Sequence, residues 1–432
     1  MPIFHLGYGK EGIEFELRQK NFPVVLEGKL NEKAASPAEI ITAALADPIE
    51  SPLLSEIVDP GDKVCIVISD LTRSWQRMDQ YLPYIVRELE NGGISDRDIF
   101  FLTSTGSHRP HTSEEHRKLL GDDLYDRFSI IDHNCEDRSE LVFVGTTVYG
   151  TKVEVNRKAL EADRLIITGA IAYHFMAGWG GGRKSIMPGI CGYESIQNNH
   201  ALALDPEPGM GRNLNCCTGN FTNNVLHLDM IEATEMVRPD FLFNVIMDDG
   251  GNIGGAVAGH WKTAHEAGVA MVDEIDGVAI EKKADLVVTT PGGYPKDINL
   301  YQSTKAIFNA LDAVKPGGVI ISLCRCNEGF GNSEVRDILI ECKDSNERES
   351  YLRERFSIAR YIGYVTGYVS ENWHLVLVSE MESPELESLG IRTFKTMEDA
   401  LNYAEGIFGG EFSSYVMPHG SSTLPRYVRK NK

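Results

Sequence analysis

The sequence predicts an α/β protein of two mixed α/β domains with largely parallel sheets, its active site in the cleft between them. Three observations predict this. Near-continuous apolar runs, among them KVCIVISD (63–70), Ile99 to Ser104, Leu165 to Ala172 and Phe241 to Met247, alternate with stretches of helical spacing. Such runs are the mark of strands buried on both faces, as in parallel sheets flanked by helices. The alternation restarts near Val278 with ADLVVTTPGG, PGGVIISLCRC and HLVLVSE, so a second α/β domain begins there. The chain of 432 residues is long enough for both. The expected division is an amino-terminal domain over 1–275 and a carboxy-terminal domain over 276–411, with the tail 412–432 able to return to the first.

Residues 1–30 alternate short apolar runs with charge (IEFEL, FPVVLEG), which suggests a hairpin or edge strands. A helix is expected over Pro37–Leu45, followed by a linker and the 63–70 strand. Between Met78 and Glu90, apolar Tyr81, Leu82, Ile85, Val86 and Leu89 recur at helical spacing, and Gly92-Gly93 supplies the stop. The Ile99–Ser104 strand completes a strand–helix–strand unit, which calls for parallel strands and a right-handed crossover. Thr112 and Glu115 form a capping-box pattern opening a helix to Leu120. Strands are expected near Leu141–Val144 and Val148–Val155, separated by Gly145, and then over Leu165–Ala172. After Gly192 the pattern is helical, which puts His200 near a helix end. A helix over Asn223–Thr234, the Phe241–Met247 strand and a helix over His260–Ile275 close the domain. In the second domain a helix is expected over Ser303–Val314.

Composition narrows the function. A net charge of −21 argues against nucleic acid or an anionic membrane surface as partner, since either would be repelled over most of the surface. No early basic-then-apolar segment resembles a signal peptide, and no apolar run approaches the roughly 20 residues that span a bilayer. The eight cysteines include no Cys-x-x-Cys pair. That is neither a disulfide framework nor a zinc site, and Cys216-Cys217 and Cys324-x-Cys326 read as packing residues. A soluble protein of the reducing cytoplasm is expected.

The chemistry gathers in three loops that each follow a buried-type strand: Asp70–Arg73, Thr105–His111 and His174–Lys184. On a parallel sheet all three can face one edge, where open α/β sheets bind ligands. The last, HFMAGWGGGRKSIMPG, has Arg183 where the P-loop pattern needs its second glycine, so it is not a P-loop. His108 and His174 each sit just past a strand. Two imidazoles facing one carbon can remove and return a proton from opposite sides. A guanidinium at Arg73 suits a carboxylate or phosphate, and Arg109 and Arg183 could do similar work. Lys184 could contact an anion or serve as a covalent attachment point, a choice its surroundings in the sequence leave open. Gln302 and Lys305 lie one helical turn apart, pointing the same way.

The set DLTR (70–73), TGSHRPHT (105–112), HFMAGWGGGRKSIMPG (174–189), the later His200 and YQSTKA (301–306) resembles the lactate racemase family, nickel-dependent 2-hydroxyacid racemases and epimerases. The resemblance runs over most of the chain, with its motifs in the expected order. It implies two α/β domains enclosing a nickel pincer nucleotide, a pyridinium mononucleotide whose sulfur arms hold nickel. It implies that Lys184 joins this cofactor covalently and that His200 is the protein's nickel ligand. By the same resemblance His108 and His174 are the paired acid–base histidines, and Arg73, Gln302 and Lys305 contact the substrate. Asp70, Thr72 and the glycines Gly180, Gly181 and Gly182 would contact cofactor. The partners implied are a small 2-hydroxy acid and the enzymes that make the cofactor.

Two positions depart from the family pattern: Ser74-Trp75 follow Arg73 where proline is common, and Gly180, preceded by Trp179, stands where serine is usual. Both bear on substrate choice, which extends from lactate to larger or polyhydroxylated 2-hydroxy acids. The alternatives are a nickel-independent lyase or isomerase using the same histidines, and a non-catalytic nickel-nucleotide-binding protein.

Overall fold

The computed structural model describes residues 3–17, 24–29, 35–248, 250–381 and 384–428. The chain forms two compact units: one from residues 30–203 and 214–274, the other from 1–29, 204–213 and 275–432. Among the described residues no helix is long and apolar enough to cross a membrane.

The first unit is built on a six-stranded sheet in the order Ile253–Gly259, Phe241–Met247, Arg164–Ala170, Val64–Ser69, Ile99–Ser104, Ser129–Asp132. Its first pairing is antiparallel and the rest are parallel. Every residue of Val64–Ser69 is buried, as its unbroken apolar run requires. The helix Met78–Asn91 lays Tyr81, Leu82, Ile85, Val86 and Leu89 on one side, all buried in a core with Ile66, Ile68, Phe101 and Phe243. Thr112 caps the helix Ser113–Leu120 through a capping box with Glu115. The strands Arg164–Ala170, Val64–Ser69 and Ile99–Ser104 are parallel neighbours, so the three loops that leave them emerge at one edge of the sheet.

The hairpin of this unit pairs Leu141–Thr146 with Lys152–Asn156. The second strand thus begins later than the apolar pattern suggested: Val148 lies in the turn and is 82 % exposed. Gly145, expected as a separator, sits inside the first strand beside a register shift.

The second unit has its own six-stranded sheet, all of its pairings parallel, in the order Arg392–Phe394, His374–Val378, Val314–Leu323, Ala284–Thr289, Ser414–Met417, Val24–Val25. Two expectations are corrected here. The amino-terminal 29 residues belong with this unit rather than with 30–275. The hairpin Ile3–Tyr8/Glu11–Glu16 and the residue after it bury Leu6, Phe15 and Leu17 in the core of Leu286, Val288, Ile321 and Val376. Burial of each such side chain is worth roughly 1.5–3 kcal/mol, which outweighs nearness in sequence. The tail likewise stays in this unit: Ser414–Met417 pairs with Ala284–Thr289, and Leu424–Tyr427 pairs with Gly277–Ile280. Residues 204–213 also fold here, Gly209 donating to Glu349 Oε1 (2.8 Å) and Arg353 to the Asp205 carbonyl (2.7 Å).

The helix expected over Ser303–Val314 runs Leu300–Ala310. Asn299 caps it by accepting from the Gln302 amide, and Val314 opens the next strand. All eight cysteines are free thiols and all but Cys217 are buried.

Candidate active site

Asp70 follows the last residue of its strand and stands at the N-cap of a short 3-10 turn, Leu71–Gln76. An N-cap aspartate ordinarily accepts a hydrogen bond from its own turn. This one makes no such bond. Its carboxylate accepts instead from Thr72 Oγ1 (2.7 Å) and Arg73 Nη1 (2.7 Å) at one oxygen and from the His108 ring at the other. Burial by itself would raise the Asp70 carboxyl, but the His108 hydrogen bond, the Arg73 charge and the Thr72 hydroxyl hold it at about 2. It is therefore an anion at any working pH. Because Asp70 faces Nδ1 of His108, that nitrogen carries the ring proton and Nε2 presents a lone pair. The His108 side chain is 45 % exposed, so this lone pair is open to a ligand.

His174 is arranged the other way round. It lies in a two-residue strand, Tyr173–His174, paired with Gly178–Trp179. Its Nδ1 accepts from the backbone amides of Met176 (3.2 Å) and Ala177 (3.1 Å). A nitrogen that accepts two amide protons carries none, so in the neutral ring the proton is on Nε2. Burial first, then the neighbouring basic groups Lys184, His200, Arg73 and Arg183, push its proton affinity well below the usual histidine range.

Lys184 closes the glycine loop in the turn Gly182–Ser185. Burial, then Arg73 and Arg183, push its amine well below the usual lysine range, toward the neutral, nucleophilic form. Arg183 is fully buried and donates to the carbonyls of Ala177 (2.7 Å) and Trp179 (2.9 Å), tying the lysine turn to the segment after His174. His200, in the last turn of the helix Tyr193–Ala201, is 3 % exposed. Its Nδ1 donates to the Ile196 carbonyl (2.8 Å), leaving the lone pair on Nε2. Burial and then Lys184 lower its proton affinity to about 4. A neutral imidazole whose second nitrogen is fixed by a backbone carbonyl is the form that ligates a metal.

The glycines serve the turn more than a ligand. Gly181 and Gly182 have positive φ, and a Cβ would meet Asn244 Oδ1 at 2.6 Å and the His265 ring at 2.5 Å respectively. The Gly180 amide donates to the Ala172 carbonyl (2.7 Å) and the Gly182 amide to Asn244 Oδ1 (2.7 Å). These two donors are thus committed and do not cradle a phosphate. Of the two departing tryptophans, Trp179 is core, 4 % exposed against Phe221, whereas Trp75 is 47 % exposed. Arg109 forms an ion pair with Glu115 (2.6 Å).

In the other unit, Gln302 and Lys305 share a face of Leu300–Ala310, Lys305 Nζ donating to Gln302 Oε1 (2.9 Å). Sequence reasoning passed over His111, His116 and Asp132, whose ligating atoms lie within 4.8 Å of one another. The signal was there: Asp132 ends the strand Ser129–Asp132 beside Ile99–Ser104, the same edge from which the other loops emerge.

Residues 8–211 match the lactate racemase N-terminal domain and residues 278–424 the lactate racemase C-terminal domain. The chain is 31 % identical over 433 residues to the lactate racemase of Thermoanaerobacterium thermosaccharolyticum, covering 99 % of this chain and all of that protein. It is 31 % identical over 441 residues to that of Lactiplantibacillus plantarum, covering 98 % of this chain and all of that one. The structure of the T. thermosaccharolyticum lactate racemase apoprotein superposes with a TM-score of 0.89 at 31 % identity, over 98 % of this chain and all of that one. A crystal structure of a Thermotoga maritima protein, 18 % identical with a TM-score of 0.65, covers 93 % of this chain and all of that one and shares the fold. The chain belongs to the lactate racemase family, and it is an isomerase.

Proposed function

We propose that this protein inverts C2 of a 2-hydroxy acid, lactate or a larger or polyhydroxylated analogue, with a nickel pincer nucleotide as cofactor. The observation that carries this reading is the pairing of two oppositely prepared imidazoles, His108 with a lone pair and His174 with a proton, beside a lysine and a histidine whose proton affinities burial lowers.

The donor set fits the cofactor. Lys184 would supply the amine for the covalent link, its proton affinity lowered by burial, and His200 would supply Nε2 for nickel, a borderline metal that imidazole suits. When bound, the cofactor supplies a hydride acceptor and donor at the reacting carbon. Every other task falls to side chains of this chain. Arg73, whose Nη1 donates to Asp70 and Thr72 and whose other guanidinium N–H groups meet no acceptor among the described residues, would offer those donors to the substrate carboxylate. His108 takes the proton of the 2-hydroxyl at Nε2, and the Asp70 carboxylate stabilises the imidazolium that results. His174 donates from Nε2 to the same oxygen on the opposite side, holding it while C2 is planar. A role for His174 as proton acceptor requires its two amide bonds to break first. Gln302 and Lys305 are assigned to the substrate as well. Trp75, exposed two residues beyond Arg73, is the side chain through which a larger substrate would be accommodated.

The test is the intact mass under denaturing conditions of protein co-expressed with the cofactor-making enzymes, beside a Lys184→Arg control, followed by loss of optical purity of single-enantiomer 2-hydroxy acids. An adduct confined to wild type, with racemisation that keeps a C2 deuterium label, is expected. An adduct absent while a known lactate racemase from the same host carries one, or washout of the label into solvent, would overturn the reading in favour of a nickel-independent isomerase.

A further inference from the structure

We propose that His111, fixed in one tautomer by Asp132, is a positioning residue that accepts the first amide of the Leu71–Gln76 turn and so holds Asp70, at the head of that turn, in register with His108 and Arg73. The proposal rests on the reading of Asp70 and His108 as the proton-transfer pair.

The argument begins with an orphan donor. The first amide of a helical turn has no partner within the turn and needs an acceptor. Here the first amide is that of Leu71, and it donates to Nε2 of His111 (2.9 Å), forty residues away. Asp70, the residue whose side chain would ordinarily cap the turn, makes no capping bond. An Nε2 that accepts must be unprotonated, so the ring proton sits on Nδ1, where it is given to Asp132 Oδ1 (2.7 Å). Asp132 is held in turn: Oδ2 accepts from the His111 amide (2.7 Å), and Oδ1 accepts also from His116 Nε2 (2.9 Å). The His111 side chain is 3 % exposed, so no solvent rearrangement competes with this order.

The consequence is a clamp between two loops. His111 ends the Thr105–His111 segment that carries His108, and Leu71 begins the turn that carries Thr72 and Arg73. One imidazole therefore sets the register of Asp70 against His108. The same geometry speaks against a cation at His111, His116 and Asp132. Metal on Nδ1 of His111 would force a proton onto Nε2, which faces the Leu71 N–H.

The test compares His111→Leu with His111→Gln. Leucine leaves the Leu71 amide without an acceptor, whereas the glutamine carbonyl can take the place of Nε2. In cofactor-loaded enzyme, His111→Leu should lose on the order of 10²-fold in kcat/KM, the cost of misplacing groups by about 1 Å, and His111→Gln should stay within about tenfold of wild type. Hydrogen exchange at the Leu71 amide, measured on loaded protein and apoprotein, should quicken about tenfold or more in the leucine variant and stay protected in the glutamine variant. A leucine variant with wild-type rate and a protected Leu71 amide would overturn the proposal. Should the leucine variant fail to fold, the glutamine variant decides: a hundredfold loss despite a protected amide defeats it. Zinc binding to apoprotein that survives His200→Ala but not Asp132→Asn would overturn it in favour of a metal site. Wild type that racemises no 2-hydroxy acid defeats the functional reading, and the exchange comparison then judges the clamp alone.

Discussion

The loop that carries His108 and the loop that carries His174 leave parallel strands of one sheet, yet they prepare the same side chain in opposite ways. At His108 the partner is an anion, the ring half-exposed, and the lone pair faces outward. At His174 the partners are two backbone amides, the neighbours are the basic side chains of Lys184, His200, Arg73 and Arg183, and the outward atom is a proton. The difference teaches that an imidazole's task is set by what its other nitrogen touches. The proposed mechanism uses both preparations, one to deprotonate the oxygen at C2 and the other to hold it.

The contrast can be broken first at its basic end. His108→Ala removes the proton acceptor and should lower kcat about 10³–10⁴-fold with Lys184 still bearing its adduct by mass, since general base catalysis is worth 10²–10⁴. Asp70→Asn should cost somewhat less, about 10²–10³-fold. The asparagine can reverse the His108 tautomer, and restoration by Asp70→Glu would show that the negative charge matters. His174→Ala, which removes a donor to a developing charge, is expected to cost about 10²-fold in kcat. A loss as large as that of His108→Ala would show that His174 is itself a proton acceptor. Each is measured as the initial rate of optical inversion.

Acid should sharpen the same contrast through stability. His133 and His265, both buried, are held at about 4 and about 3, chiefly by burial, against an ordinary value of 6.5. Their folded values are depressed, so the stability they permit is complete above pH 6.5 and falls as pH drops toward 4. The slope is about 1.4 kcal/mol per pH unit for each group. Asp70 is depressed from 3.8 to about 2, so its contribution holds above pH 3.8 and is lost only as pH falls toward 2. Denaturant melts at pH 7, 5.5 and 4.5 should show the decline, and His133→Gln should flatten it. The smallest effect is expected at Trp75. Trp75→Ala should change the preference between lactate and a polyhydroxylated analogue by a few-fold without altering the adduct mass.

Much of the candidate site could be read from residues close in sequence. The runs that became Val64–Ser69, Ile99–Ser104 and Arg164–Ala170 placed Asp70, His108 and His174 at one sheet edge, because a parallel sheet points all its strand ends the same way. The capping box at Thr112 and the buried stripe of Met78–Asn91 were equally legible, since both are patterns within a few residues. Charge, cysteine spacing and the order of the motifs likewise needed no structure.

The tertiary structure alone decided the rest. Nothing near Val24 and Val25 announces a partner strand 391 residues away at Tyr415 and Val416, so the place of the amino-terminal segment in the second unit is not legible locally. Trp75 and Trp179 look alike in the sequence, and only packing made one exposed and the other core. The proton positions on His108, His174, His200 and His111 depend on acceptors and donors brought together by folding, and the depressed proton affinity of Lys184 depends on burial among distant cations. Periodicity and capping are local and survive in a string of letters. Burial, pairing and protonation belong to the partners a residue meets, which only the fold supplies.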